Sequence, residues 1–242
     1  MSEMHYWNRA NFEALASLSS AFRADPRLEG LAAYCDLRGK GLRRPAFAQL
    51  EAFLDQVASW DVPVQRDVAL HVLEAYWKTP EAHQFLSDPL RKRFLERVLE
   101  EWRATEPNNR VPVRYLALLL RERGLLDEAF RMNPSDDLIR AALAGLLIGF
   151  VDYATHHLVE GSFIGDEEEA AAALAEATSV LAGVTDASSV QSLTQAVEGL
   201  AALLSDWQEY RQSPEGTFPE WCSARNRKHS WSTIVYYNGG TA

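Results

Sequence analysis

The sequence predicts an all-α fold: an irregular, right-handed stack of antiparallel helix hairpins with an extended aromatic C-terminal tail. Leu, Ala, Glu and Arg are abundant, and β-branched runs are nearly absent before residue 233. Apolar residues recur at three- and four-residue spacing in segments separated by Pro, Gly and Asn/Asp turns. The 242 residues, 47% hydrophobic and 24% charged, can bury a packed core unaided by disulfides or metal. Two cysteines, Cys35 and Cys222, exclude a disulfide scaffold and a four-cysteine zinc site.

Phe12, Leu15, Leu18 and Phe22 give the apolar face of a first helix, which ends near Asp25-Pro26. A second helix, Leu28 to Leu37, stops at Gly39-Lys40-Gly41, a string without the spacing of a phosphate-binding loop. Pro45 stands at the start of a third helix, with Phe47, Leu50, Phe53, Leu54 and Val57 on one face. Asp61 is placed to cap a fourth, Pro63 to Lys78, and Asp88-Pro89 opens a fifth that closes at Glu106-Pro107-Asn108-Asn109. Further helices are expected at 111–123, 125–132, 136–159, 166–183 and 187–211. From Pro214 the composition changes to Pro, Gly and aromatics, with one strand-like run, Thr233 to Tyr237, and room for a short helix near Trp221. The expected organisation is a single helical-repeat domain over 1–212 and a tail, 213–242, packed on it.

Pro107 and Pro134 lie 27 residues apart in similar polar turns. After the first turn, Val113, Leu116, Ala117 and Leu120 are matched by Arg140, Leu143, Ala144 and Leu147 after the second. Gly124 through Ala129 and Gly165 through Ala170 each place a small residue five positions after a Gly, and Leu174 and Ala177 continue the second in phase. Over residues 88–183 this pattern resembles the tetratricopeptide repeat, in which small residues let paired helices approach and large ones fill the layer between. The resemblance implies an α-solenoid that binds peptides or proteins. The family repeat is about 34 residues, so the first copy is short, and the characteristic Trp and Tyr of its first helix are absent. The second copy carries fourteen extra residues, Val151 to Ile164. That string, followed by Gly165-Asp166, is also similar to bacterial helical-repeat proteins of unknown function.

The net charge of −10 is concentrated in one segment. Residues 1–140 carry 20 Lys and Arg against 21 Asp and Glu, residues 141–210 carry 11 acids and no Lys or Arg, and residues 211–242 carry four bases and two acids. The middle segment disfavours nucleic acid and anionic lipid and favours a basic partner, although a solvated helix face would carry the same charge. The basic cluster Arg225-Asn226-Arg227-Lys228-His229 is placed to fold back on it. The apolar run Ala141 to Val151 is too short for a membrane span, and Met1 to Arg9 has no secretory h-region, so a cytoplasmic location is expected.

The insertion holds the candidate site. Asp152 and His156 share one helix face, as do Tyr153 and His157. Four readings stand side by side: a metal site using Asp152, His156 and an acid such as Asp166; an acid–base pair of Asp152 and His156; a recognition patch of Tyr153, His157 and Phe163; and a helix-packing seam with no chemistry. No nucleophile motif accompanies them, and neither a cofactor nor a bound metal is expected. The sequence thus points to a protein–protein interaction module with a basic protein or peptide partner, a role that an inhibitor or immunity-like protein would fill. The site combines Asp152, Tyr153, His156, His157 and Phe163 with the acidic turn Glu167, Glu168 and Glu169. An enzyme or metal-binding protein centred on Asp152, His156 and His157 is the alternative, and the sequence does not fix the oligomeric state.

Overall fold

A computed structural model describes residues 9–229, and these are helical with no strand among the described residues. The strand-like run Thr233 to Tyr237 and the aromatic Trp231 lie outside them. The chain divides into two compact units between Leu119 and Leu120, inside the first copy of the 27-residue pattern.

The first unit holds α1 (Arg9–Phe22), α2 (Glu29–Gly39), α3 (Arg43–Ala58) and α4 (Val62–Trp77). It continues through α5 (Asp88–Leu90), a π-turn (Arg91–Glu96), α6 (Arg97–Thr105) and all but the last residue of α7 (Arg110–Leu120). α1 packs on α2 and α2 on α3. The core joins Phe22, Tyr34, Phe53, Phe85 and Phe94, all buried. Phe85 lies outside any helix, yet its ring sits 5.5 Å from that of Phe22, and its carbonyl accepts the Tyr34 hydroxyl at 3.2 Å. The loop between α4 and α5 is thereby pinned into the core. Asp61 does stand at the cap position of α4, although its side chain makes no capping bond.

The second unit holds α8 (Arg123–Met132), α9 (Asp137–Thr155), α10 (Glu167–Leu181), α11 (Gln191–Gln212) and α12 (Phe218–Ala224). α9 is its central helix and packs against α8, α10 and α11. Asp136 caps α9 by accepting from the backbone N–H of Leu138 and Ile139, and Asp166 caps α10 in the same way through Glu168 and Glu169. The short helix expected near Trp221 is α12, started by a capping box in which Thr217 and Glu220 each accept from the other's backbone N–H.

One boundary differs in a way that matters. The sequence predicts a helix through Val159, but α9 ends at Thr155. The Thr155 hydroxyl turns back onto the Val151 carbonyl at 2.9 Å, and the chain then folds over itself so that the Ile164 N–H donates to the Ala154 carbonyl at 2.9 Å. Gly161 and Gly165 adopt φ of 80° and 86°, the left-handed conformations this reversal needs. The insertion therefore extends α9 only to Thr155, and the rest of it, 156–164, folds back as a compact cap on the helix end.

That cap is closed by the second unit's aromatic cluster. Leu158 packs with Leu203, Trp207, Phe218, Trp221 and Cys222, and Phe163 and Tyr210 cover the edge. The basic cluster folds back on the acidic helices as its composition suggests. Arg227 reaches Asp206 at 3.1 Å and Glu209 at 3.6 Å, and Arg225 stacks on Trp221 at 4.3 Å.

Candidate functional grooves along the central helix

α9 carries more apolar surface than its own unit covers. Leu143, Leu147, Val151 and Ala154 form the buried face, while Phe150 is 44% exposed and Tyr153 65% exposed. Leu146, Phe150 and Tyr153 follow at i, i+4 and i+7, which sets them in one stripe along the helix. Two grooves border α9, one toward α10 and one toward α11, and both include Gly145 and Gly149 in their lining.

The first groove, about 730 Å³, lies between α9 and α10. Leu146, Leu147 and Phe150 line one wall, and Ala172 and Ala173 the other. The small α10 side chains leave the groove open. Arg121, Arg123, Glu169 and Glu176 stand at its rim. Arg123 bridges Asp127 at 2.8 Å and Glu176 at 2.5 Å, and these carboxylates hold its guanidinium pKa above the ordinary value. Arg123 is thus neutralised within the fold.

The second groove, about 620 Å³, lies between α9 and α11. Gly149, Ala196 and Gly199 line its apolar part, while Asp152, His156, Lys228 and His229 gather at its polar part. His229 is fixed there by a buried carboxylate: its Nε2 donates to Asp206 Oδ2 at 2.7 Å, with both side chains under 10% exposed (8% and 5%). The Thr155 hydroxyl also borders the groove, but its hydrogen is committed to the α9 backbone. Cys222 is buried under the aromatic cluster, and burial pushes its thiol pKa up. Neither side chain is set up as a nucleophile.

The structure separates the residues that the sequence grouped. Asp152 and His156 share the second groove, but no hydrogen bond links them among the described residues. His157 pairs instead with Glu160 at 3.1 Å and meets the His156 ring edge-on at 5.0 Å. Among the described residues no three His, Cys, Asp or Glu side chains converge as a metal site. Tyr153 is exposed on the stripe, whereas Phe163 is half-buried against the aromatic cluster.

The three glutamates of the acidic turn also part company. Glu167 accepts from the Trp207 indole at 3.0 Å and is paired with Arg211, while Glu168 and Glu169 are exposed and form no ion pair among the described residues. Glu167 therefore holds α10 to α11, and the other two remain open to a partner. Sequence reasoning missed Leu146, Phe150 and Asp206. For the first two a signal existed, since the Ala141–Val151 run places apolar residues on more faces than one neighbour can cover. The charge pattern brings the cluster holding His229 to the acidic segment, but it does not single out Asp206, 23 residues away, as the partner.

Comparison with protein-family models, with curated proteins and with solved structures finds no match to this chain.

Proposed function

We propose that the protein is a protein–protein interaction module that takes a basic, amphipathic helical segment of its partner along α9. The carrying observation is the Leu146–Phe150–Tyr153 stripe, with Phe150 and Tyr153 exposed and Leu146 half-buried, beside the open groove between α9 and α10. A helix laid in such a groove would bury its apolar face against Leu146, Phe150, Ala172 and Ala173, the mode by which amphipathic segments are held between helices. Phe150 supplies the aromatic anchor that such interfaces concentrate energy on.

The partner's sign follows from the carboxylates left over. Glu168 and Glu169 form no ion pair among the described residues and outnumber Arg121, the rim cation that likewise forms none, while Arg123 is held by Asp127 and Glu176. A basic segment would be steered by that excess and would bind less tightly as salt rises. The tetratricopeptide-like hairpin stack belongs to the same reading, because it is the architecture that presents such grooves. So do a cytoplasmic location and the inhibitor or immunity-like role in which an acidic face neutralises a basic effector.

The test uses the full chain as bait against a displayed library of amphipathic helical peptides. Enriched peptides should be basic, with an apolar stripe. Their binding should fall at least about tenfold with Phe150→Asp or with Glu168→Lys and Glu169→Lys together, and it should weaken between ~50 and ~500 mM NaCl. Enrichment of acidic peptides, or binding indifferent to Phe150→Asp, would refute the proposal.

A further inference from the structure

The groove between α9 and α10 has two electrically different ends. The helices run antiparallel: Arg140 of α9 donates to the carbonyl of Val180, near the end of α10, at 2.6 Å, and Asp137 accepts the Thr185 N–H just beyond that end at 3.2 Å. Leu146 therefore lies toward Glu176 and Phe150 toward Glu169. These two glutamates are about two turns apart, roughly 10 Å along α10.

The arginines stand at the Glu176 end. Arg123 is held there by Asp127 and Glu176. Arg121, two residues earlier in the chain, lines the same groove, is exposed and forms no ion pair among the described residues. At the other end Glu168 and Glu169 are exposed and likewise form no ion pair among the described residues. One end thus offers an uncompensated cation and the other two uncompensated carboxylates.

The backbone singles out the cation. Arg121 follows the last residue of α7 with φ 52°, in the left-handed region. Helices commonly end on such a residue, but glycine is the usual one, because a side chain crowds the backbone there. An arginine at that position sets a guanidinium on the groove rim with a backbone that glycine would adopt more readily.

These end charges choose a direction. A helix carries partial positive charge at its N-terminus and partial negative charge at its C-terminus. With its N-terminus at Glu168 and Glu169 and its C-terminus at Arg121, a docked helix meets opposite charge at both ends; reversed, it meets like charge at both. We propose that the groove takes its partner helix in this one direction, parallel to α10 and antiparallel to α9. The partner carries Lys or Arg in its first turns, against Glu168 and Glu169, and an acidic side chain in its last turn, on Arg121. The inference rests on the groove reading proposed above and adds the partner's direction and the order of its charges.

The experiment uses the full chain and two synthetic peptides of about four helical turns, capped at both ends and held helical by a hydrocarbon staple on the solvent face. Both share one leucine stripe and one composition. The first has Lys in its opening turns and Glu in its last; the second has the reverse order. By fluorescence anisotropy the Lys-first peptide should bind about fivefold or more tightly than the other. Arg121→Gln should weaken it about threefold and leave a version ending in Gln unaffected. Arg121→Gly should weaken it equally without lowering the melting temperature, since φ 52° suits glycine. A benzophenone at the peptide's first residue should label 168–172, and one at its last residue 121–123. Equal binding of the two orders, exchanged labels, or a lower melting temperature for Arg121→Gly would overturn this inference and leave the groove reading standing. No binding by either peptide, or binding indifferent to Phe150→Asp, would overturn the groove reading and this inference with it.

Discussion

Glu167 and Glu168 are adjacent, identical in type and both in the first turn of α10, yet their removal should differ sharply. Glu167→Ala removes the acceptor of the Trp207 indole N–H, and Trp207 is only 4% exposed. A hydrogen bond to a charged group contributes about 1.5–3 kcal/mol, and leaving a buried donor unsatisfied puts the loss toward the top of that range. The ion pair with Arg211 adds little, because Arg211 is 60% exposed and water screens it. Both glutamates interact favourably with the helix dipole, by about 0.3–1 kcal/mol each, so that contribution largely cancels in the comparison. The expected difference is therefore about 2–3 kcal/mol. At about 2–4 °C per kcal/mol for a chain of this size, Glu167→Ala should melt roughly 4–12 °C below Glu168→Ala. Thermal unfolding followed by circular dichroism, with the Trp207 environment read from near-ultraviolet bands, measures it. Equal melting temperatures for the two variants would show that Glu167 does not bridge α10 to α11, and would return it to the partner-facing surface.

Other consequences are simpler to read. Leu116→Ala and Leu143→Ala, each at a side chain only 1% exposed, should each cost about 2–5 kcal/mol in chemical denaturation; a midpoint unchanged from the parent would place that residue on the surface. Cys35 and Cys222 should resist an aromatic disulfide reagent at pH 8 in the folded protein and react in denaturant, since both are buried and burial raises both thiol pKa values. The Arg27 guanidinium donates to Asp25 and holds its carboxyl below the usual range, so this stabilisation is complete above the unfolded pKa and fades as pH falls through the folded one. Asp25→Asn should cost about 1 kcal/mol at pH 7 and progressively less in acid, and a cost that grows on acidification would reverse the sign of that argument.

The helix inventory was legible because it rests on local signals. The Pro starts and the apolar periodicities are each complete within a few residues, and the structure places helices there. The end of α9 was not legible. Val159 continues the apolar pattern, and only the return of Ile164 to the Ala154 carbonyl, a tertiary bond, shows that the helix has already stopped. The candidate site was half legible. Asp152 and His156 line the same groove, as their shared helix face suggests, but no hydrogen bond joins them among the described residues. Whether that face meets a seam or a groove depends on α11, about forty residues further on.

α9 itself shows why composition and burial have to be weighed together. Within Asp137–Glu160, a stretch that runs just past the end of α9, 18 residues of mean hydropathy 1.5 would suffice, by length and composition, for a membrane span, yet half of those residues are buried inside the protein, as in a core helix. The half that remains is not uniformly apolar. It alternates the Leu146–Phe150–Tyr153 stripe with Gly145, Gly149, Asp152 and His156 on the neighbouring face. A lipid-facing surface would not place a carboxylate and an imidazole beside two glycines, because charge in hydrocarbon is expensive. A helix that borders two grooves in a folded protein would, since the apolar stripe lines one and Asp152 and His156 stand at the polar part of the other. Ala173→Phe, which fills the groove between α9 and α10, should therefore weaken binding of a basic amphipathic peptide at least about tenfold. Peptide binding left unchanged by Ala173→Phe would show that the partner does not enter this groove.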